Sequence, residues 1–112
     1  MAHTLLNAAA VTGAGSTQRV SLIPSQHTVQ ATMGGGTVAT AVTLDLEGSL
    51  DDTTWVQLAR HAFSAGDISA EAAMFHVVDK PVKYVRANLI TLTGGVSPTV
   101  TVLYEPVIQD RG

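Results

Sequence analysis

Four histidines and nine carboxylates are the side chains that could do chemistry in this 112-residue chain. No two of His3, His27, His61 and His76 have the close spacing of a zinc motif. Neighbouring strands could bring His61 and His76 together, but a zinc site needs a third or fourth ligand. Cysteine is absent, no G-x-S-x-G elbow occurs, and the Gly34–Gly36 run lacks the Lys-Ser/Thr of a phosphate loop. The sequence therefore predicts no catalytic residue, no metal, no cofactor and no enzymatic activity.

The acidic residues cluster around one short segment. Asp45, Glu47, Asp51 and Asp52 could supply oxygens to calcium, which takes six to eight of them, but their spacing does not match the EF-hand loop. Asp51 can instead bond nearby backbone amides and hold a turn over residues 49–54. We interpret the cluster as an acidic, solvated turn.

The charge content narrows the classes of partner. Charged residues make up 13% of the chain, about half of the roughly 25% typical of soluble domains. With only six Lys and Arg and a net charge of −3, the chain has no basic stripe for nucleic acid. No apolar run approaches the ~20 residues that cross a membrane, and the start shows no secretory signal. We expect another protein to cover part of the surface, the alternative being a weakly charged Thr/Ala/Gly surface.

The pattern along the chain predicts an all-β fold. Apolar and polar residues alternate over residues 27–33, 37–48 and 82–92, and alternation of period two is typical of half-buried strands. Clusters of Gly, Pro, Ser and Asp separate such segments at short intervals. We therefore predict a single antiparallel β-sandwich, jelly-roll-like, that spans residues 1–112 as one domain.

The same alternation assigns side chains to the core. In the clearest strand the acidic residues take one face, so the apolar residues must take the other. The aromatic ring that follows the turn at 49–54 is expected to be buried across the sandwich. The predicted core residues are Leu44, Leu46, Trp55, Val85 and Leu89.

Strand ends are predicted from glycine and proline. The glycines at 34–36 are expected to end one strand, and Pro106 is expected to end the last one. Residues 64–73 are expected to form a short helical turn capped by Asp67 or Ser69, or else a loop of small residues.

Five residues are candidates for protein contacts. Leu5, Leu6 and Val11 make residues 1–12 too apolar for a free tail, and a glycine-rich segment follows at 13–16. This extended N-terminal segment is predicted to be either the first strand of the sandwich or an arm that docks on a neighbouring subunit. Tyr84 and Arg86 share the outer face of a strand, where they form a surface pair or project towards a partner.

Two segments carry a family resemblance. Residues 46–60, LEGSLDDTTWVQLAR, resemble the Ser-x-Asp-Gly-x-x-Trp hairpin of galactose-binding-like and discoidin-type β-sandwiches, with Asp52 in place of the usual Gly. Residues 79–92, DKPVKYVRANLITL, are similar to their Ala-Arg-Tyr-Val-Arg strand, with Lys83 at the first Arg. The whole chain also resembles small structural proteins of tailed bacteriophages. The segments that carry this resemblance are LLNAAAVTGAG, HTVQAT, EGSLDDTTW and YVRANL.

The phage resemblance implies a role without catalysis. Its expected form is a capsid decoration (cement) protein, made in the host cytoplasm, that binds the capsid exterior and stabilises capsomer junctions. The implied partners are the major capsid protein and further copies of the chain, as a homotrimer. The alternatives are a carbohydrate-binding module on a fibre or tail, and an internal head or neck component. The five aromatic residues, most of them expected in the core, disfavour the carbohydrate alternative.

Overall fold

The computed structural model describes residues 3–20 and 26–107, and it confirms the predicted all-β class. Strands account for most of these residues, and the helix among them has only six. The elements in chain order are β1 (His3–Ala9), β2 (Gly13–Ala14), β3 (Gln18–Arg19), β4 (Gln26–Thr37), β5 (Ala41–Ser49), β6 (Val56–Ala62), α1 (Ala65–Ala70), β7 (Ala72–Val78), β8 (Tyr84–Thr93) and β9 (Val96–Val107).

The strands form two antiparallel sheets in a jelly-roll order. Sheet A has the order β1-β9-β4-β7. Sheet B has the order β2-β8-β5-β6, and β3 also pairs with β8, so β2 and β3 act as one interrupted edge strand. The chain passes repeatedly between the sheets, as in the double-sheet jelly rolls found in viral capsid proteins and lectins.

The core lies between the sheets and follows the predicted alternation. Leu44, Leu46, Val85 and Leu89 are all buried, from the paired central strands β5 and β8. Sheet A contributes inward-facing residues from β4 and β9 to the same core. Gly48 continues the inner face of β5 without a side chain, and an added Cβ there would crowd the side chains of Val82 and Leu58.

Two predicted strand ends are wrong. The Gly34–Gly36 run lies inside β4, where it pairs with the start of β9. Gly35 has a φ of +97°, and a Cβ at that position would collide with the carbonyl oxygen of Ser97, so the glycines let two strands approach closely. Pro106 lies inside β9, beyond the last residue that pairs with β1, where the described part of β9 has a neighbour on one side.

Of the two structures predicted for residues 64–73, a short helical turn and a loop, the helix is present, but its N-cap is not one of the predicted residues. Ser64 is the N-cap residue of α1, and its hydroxyl accepts a hydrogen bond from the backbone N–H of Asp67. Asp67 accepts in return from the backbone N–H of Ser64, which completes a capping box. This N–H and the ring of His61 lower the pKa of Asp67 below its ordinary value. Neither Asp67 nor Ser69 is the cap.

The N-terminal segment is a strand of the sandwich rather than an arm. β1 pairs with β9, and Leu5 and Leu6 are buried in the core. Gly15 then donates a hydrogen bond to the Ala87 carbonyl in sheet B (2.8 Å), while the next residue bonds the Leu5 carbonyl in sheet A (3.2 Å). The chain therefore crosses between the sheets at residues 10–12, and the glycine-rich segment at 13–16 forms hydrogen bonds to both sheets. Leu5 and Leu6 face the chain's own core and are not surface contacts, whereas Val11 is 75% exposed.

A buried polar contact joins sheet A to the loop between β7 and β8. His27 lies on the inner face of β4 and is fully buried, with Nε2 2.8 Å from the Lys80 carbonyl oxygen and Nδ1 2.6 Å from the Tyr104 hydroxyl. A carbonyl only accepts, so Nε2 carries the proton and Nδ1 of the neutral ring accepts from Tyr104. Burial raises the pKa of Tyr104 and lowers that of His27, so both side chains remain neutral.

Substitution of Leu5 tests whether β1 belongs to the core. Leu5→Ala should lower the free energy of unfolding by about 2–5 kcal/mol, because it removes a buried side chain and leaves a cavity. Val11→Ala is the control and should change it by less than about 0.5 kcal/mol. Urea denaturation measures both values. A Leu5→Ala variant as stable as the control would contradict the placement of β1.

Acid should destabilise the fold through His27. The folded state lowers the pKa of His27 below its ordinary value of about 6.5 and so binds the proton less well than the unfolded chain. Its contribution to stability is complete above pH 6.5 or so and is lost as the pH falls below that value. Urea midpoints measured between pH 8 and 5 should fall less steeply for His27→Gln, which retains hydrogen-bonding groups but does not titrate. Equal slopes would refute this assignment.

Candidate interaction surfaces

The outer face of sheet B is a closed network of paired charges. Asp45 lies opposite Arg60 in the sheet and accepts two hydrogen bonds from its guanidinium, at 2.7 and 3.0 Å. Glu47 lies opposite Arg86 and accepts from its Nε at 2.7 Å, and from the Asn88 amide at 3.1 Å. The pairing register of β5 with its two neighbours thus neutralises both carboxylates within the sheet.

Trp55 belongs to this outer face, so its predicted core position is wrong. The next residue, Val56, pairs with Gly48 on the inner face of β5, and strand alternation therefore turns Trp55 the other way. Its ring is half-buried, with the Arg86 guanidinium 4.4 Å from the ring centroid. The aromatic ring covers the charge network by a cation–π contact.

Tyr84 and Arg86 do not stack on each other. Arg19 lies over the Tyr84 ring, with its guanidinium carbon 5.8 Å from the centroid, while Arg86 contacts Trp55 and Glu47. Both side chains are half-buried against their own sheet. A role for them in binding a partner stays a prediction.

The acidic turn is held by its own side chains, as predicted. Asp51 accepts hydrogen bonds from the backbone N–H groups of Thr53 and Thr54, at 2.9 and 2.8 Å, and from the Ser49 hydroxyl at 2.9 Å. These contacts lower the pKa of Asp51 to about 2. The Asp51 carboxylate is thus committed to the turn.

The sandwich keeps His61 and His76 apart. His61 bonds Asp67 (2.9 Å) and stacks on Phe75, with ring centroids 5.2 Å apart, so it fastens α1 against β7. His76 is exposed on the outer face of sheet A and bonds the Thr28 hydroxyl at 3.1 Å. Within residues 3–20 and 26–107, no three His, Asp or Glu side chains come close enough to hold a metal ion.

A crevice of about 530 Å³ opens at one end of the sandwich, between the turn after β5 and the loop before β8. Apolar side chains form much of its wall, and Leu50 and Val56 are more than half exposed there. The carboxylate in the wall of the crevice is that of Asp51, which already accepts hydrogen bonds from the backbone of the turn. The residues that line it are Gly48, Ser49, Leu50, Asp51, Thr54, Val56, Pro81 and Val82.

The outer face of sheet A differs from that of sheet B in being almost uncharged. Cross-strand pairing arranges its side chains in rows across β7, β4 and β9. Met74 is 54% exposed at the edge of one row, and a shallow depression lies beside it. The rows are His76-Thr28-Glu105, Met74-Gln30-Leu103 and Ala72-Thr32-Thr101, and we call these nine residues the sheet A face.

The sequence missed both His27 and the sheet A face. His27 has the same alternation phase as Val29, Ala31 and Met33, so its burial could have been inferred. The rows of the sheet A face depend on which strands pair and in which register, and β4 and β9 are far apart in the chain. Local pattern does not determine that pairing.

Comparison with solved structures shows that this fold also occurs in another protein. The chain is similar to the crystal structure of the SPBc2 prophage-derived protein YomS, with a TM-score of 0.57 and 12% sequence identity. The similarity covers 93% of this chain and 88% of that one. At this identity the two proteins share a fold.

No protein-family model matches the sequence, and no curated protein matches it. In the residues that the structure describes, no helix has the length and apolar character needed to cross a membrane.

The half-buried position of Trp55 determines how much its side chain contributes to the free energy of unfolding. Trp55→Ala should lower the free energy of unfolding by about 1–2 kcal/mol, since it removes a half-buried ring and one cation–π contact. The control Leu89→Ala, in the core, should cost about 2–5 kcal/mol. Denaturant titration gives both values, and acrylamide should quench Trp55 fluorescence in the folded protein. If Trp55→Ala lowered the free energy of unfolding by more than about 3 kcal/mol and acrylamide did not quench the fluorescence, Trp55 would be a core residue and its placement on the outer face would be wrong.

Proposed function

We propose that this chain is a structural protein of a phage virion and that it decorates the outside of the capsid shell. The observation that carries the proposal is the fold shared with a prophage-derived protein over 93% of the chain. The jelly-roll order of the two sheets adds support, because this architecture recurs in viral capsid proteins. The proposal goes beyond the shared fold in two steps: it assigns this chain to a phage particle, and it places the chain on the outside of the capsid.

The surface chemistry suits a protein that works by contact. The charges on the outer face of sheet B are paired within the sheet, and the sheet A face carries no Lys or Arg among its nine residues. Such surfaces exert little long-range attraction and favour contacts that depend on shape. On a shell, each contact need only be weak, because many copies bind one lattice and reinforce one another.

Copy number per virion tests the position in the particle. Virions produced by the strain that encodes this chain would be purified and analysed by quantitative mass spectrometry against the major capsid protein. A decoration protein should be present in hundreds of copies, and a neck or tail component in a dozen or fewer. Absence of the chain from purified virions would refute the whole proposal, and a dozen copies would refute decoration.

Readdition to particles tests the stabilising role. Capsids from a deletion strain should bind the purified chain to saturation and withstand higher temperature afterwards. Chain that has been heat-denatured before readdition is the control, and it should neither bind the capsids nor raise their heat resistance. Particles that neither bind the chain nor gain heat resistance would contradict a cement function.

One observation favours a second candidate, a carbohydrate-binding module. Trp55 lies on the outer face of sheet B rather than in the core, beside the polar side chains of Glu47, Arg86 and Asn88. Aromatic rings beside polar groups can bind sugars. Titration with neutral oligosaccharides, followed by Trp55 fluorescence, should then show saturable changes that Asn88→Ala weakens. An unchanged signal with every sugar tested would leave decoration as the better proposal.

A further inference from the structure

Each sheet of the sandwich has two edges, and three of these four edges are irregular in the described part of the chain. β1 contains two register shifts against β9, and β2 and β3 are short pieces separated by residues 15–17. β6 has one shift against β5 and carries Arg60. Bulges, interruptions and charged side chains are features that keep an edge strand from pairing with another chain.

β7 lacks these features. Its seven residues, AAMFHVV, pair with β4 without a register shift and include no proline, Lys, Arg, Asp or Glu. Met74 and Val78 are each 54% exposed on this strand. A regular, uncharged and apolar edge of this kind is a template for a further strand.

The β4–β7 ladder identifies the backbone groups of β7 that point out of sheet A. The Met33 N–H donates to the Glu71 carbonyl (2.9 Å), and the register, continued by one residue, places these two residues opposite each other. Because every second residue of an antiparallel ladder bonds the neighbouring strand, residues 71, 73, 75 and 77 face β4. No hydrogen bond from another described residue reaches the backbone groups of the alternate residues. These outward residues are Ala72, Met74, His76 and Val78.

We propose that β7 pairs with β7 of a second copy, antiparallel about a twofold axis at Phe75, so that sheet A continues through the dimer as eight strands. In this register Ala72 faces Val78 of the second copy, and Met74 faces His76 of the second copy. All four outward residues of each copy then form hydrogen-bonded pairs. An axis at either neighbouring residue leaves one outward residue of each copy without an opposite residue in β7.

The symmetry of β7 about Phe75 identifies a second copy as the partner. On the inner face, Ala73 is opposite Val77 of the second copy, so a small side chain meets a branched one, as it does on the outer face. Glu71 and Asp79, both with positive φ, bound the strand four residues to either side of Phe75. The pairing therefore ends at the same distance on both sides of the axis. A twofold interface requires this symmetry.

The interface is small, so the dimer is expected to be weak. Seven paired residues extend about 24 Å, and one strand pair falls below the roughly 1,000 Å² of a stable interface. The carboxylates of Glu71 and Asp79 also approach each other at both ends of the pairing. The proposal is independent of the virion role, and it replaces the expected trimer with a dimer as the solution species.

Two matched charge variants test the pairing. Sedimentation equilibrium of the full chain at up to about 1 mM should show a monomer–dimer equilibrium. Met74→Lys/His76→Lys sets lysines opposite each other twice and should raise the dissociation constant by about tenfold or more. Met74→Lys/His76→Glu substitutes the same positions but sets opposite charges against each other. Its dissociation constant should be no higher than that of the unmodified chain, and circular dichroism should show that both variants fold.

Disulfide formation tests the register without relying on charge. The chain has no cysteine, so Met74→Cys and His76→Cys each introduce a single thiol. Opposite residues of a hydrogen-bonded pair have Cα atoms about 5.5 Å apart, which a disulfide spans. Oxidation of an equal mixture of the two variants with diamide should therefore give mainly the mixed disulfide, identified by mass spectrometry. Either variant alone places its thiols diagonally, about 7–8 Å apart, and should crosslink poorly.

Three results would overturn the proposal. The first is a chain that stays monomeric at about 1 mM or forms a trimer. The second is a dimer with the same dissociation constant in both charge variants. The third is an oxidised mixture in which disulfides between identical variants are as abundant as the mixed disulfide.

Discussion

The pairing of β4 with β9 is the interaction on which the rest of the structure depends. Through it, residue 26 lies beside residue 107, and the two strands form the centre of sheet A. β9 then provides the edge on which β1 pairs, and β4 provides the edge for β7. The inner face of the same ladder carries His27 and Tyr104, which hold the loop before β8 by one carbonyl. The long antiparallel pairing of β4 with β9 thus closes the sandwich at this end.

The two sheets use their outer faces in opposite ways. In sheet B, the register of β5 places each carboxylate opposite an arginine, and Trp55 covers part of the resulting network. In sheet A, the register of β4 places hydroxyl, amide and apolar side chains in rows with little charge. Burial of a paired, hydrogen-bonded charge is tolerated, but it gives a partner few unsatisfied groups to bind. The sheet A face is therefore the surface better suited to protein contact.

The sequence by itself determined the fold class and the inner faces of the central strands, because side-chain alternation is a local property. Leu44, Leu46, Val85 and Leu89 are buried for that reason. Local pattern could not place Trp55, whose side depends on how β6 pairs with β5 after the turn. It also left open whether residues 1–12 pair within the chain, and β1 does so only because β9 offers an edge. Tertiary structure alone set His76, Thr28 and Glu105 in one row, since their strands are distant in sequence and meet only through the sheet register.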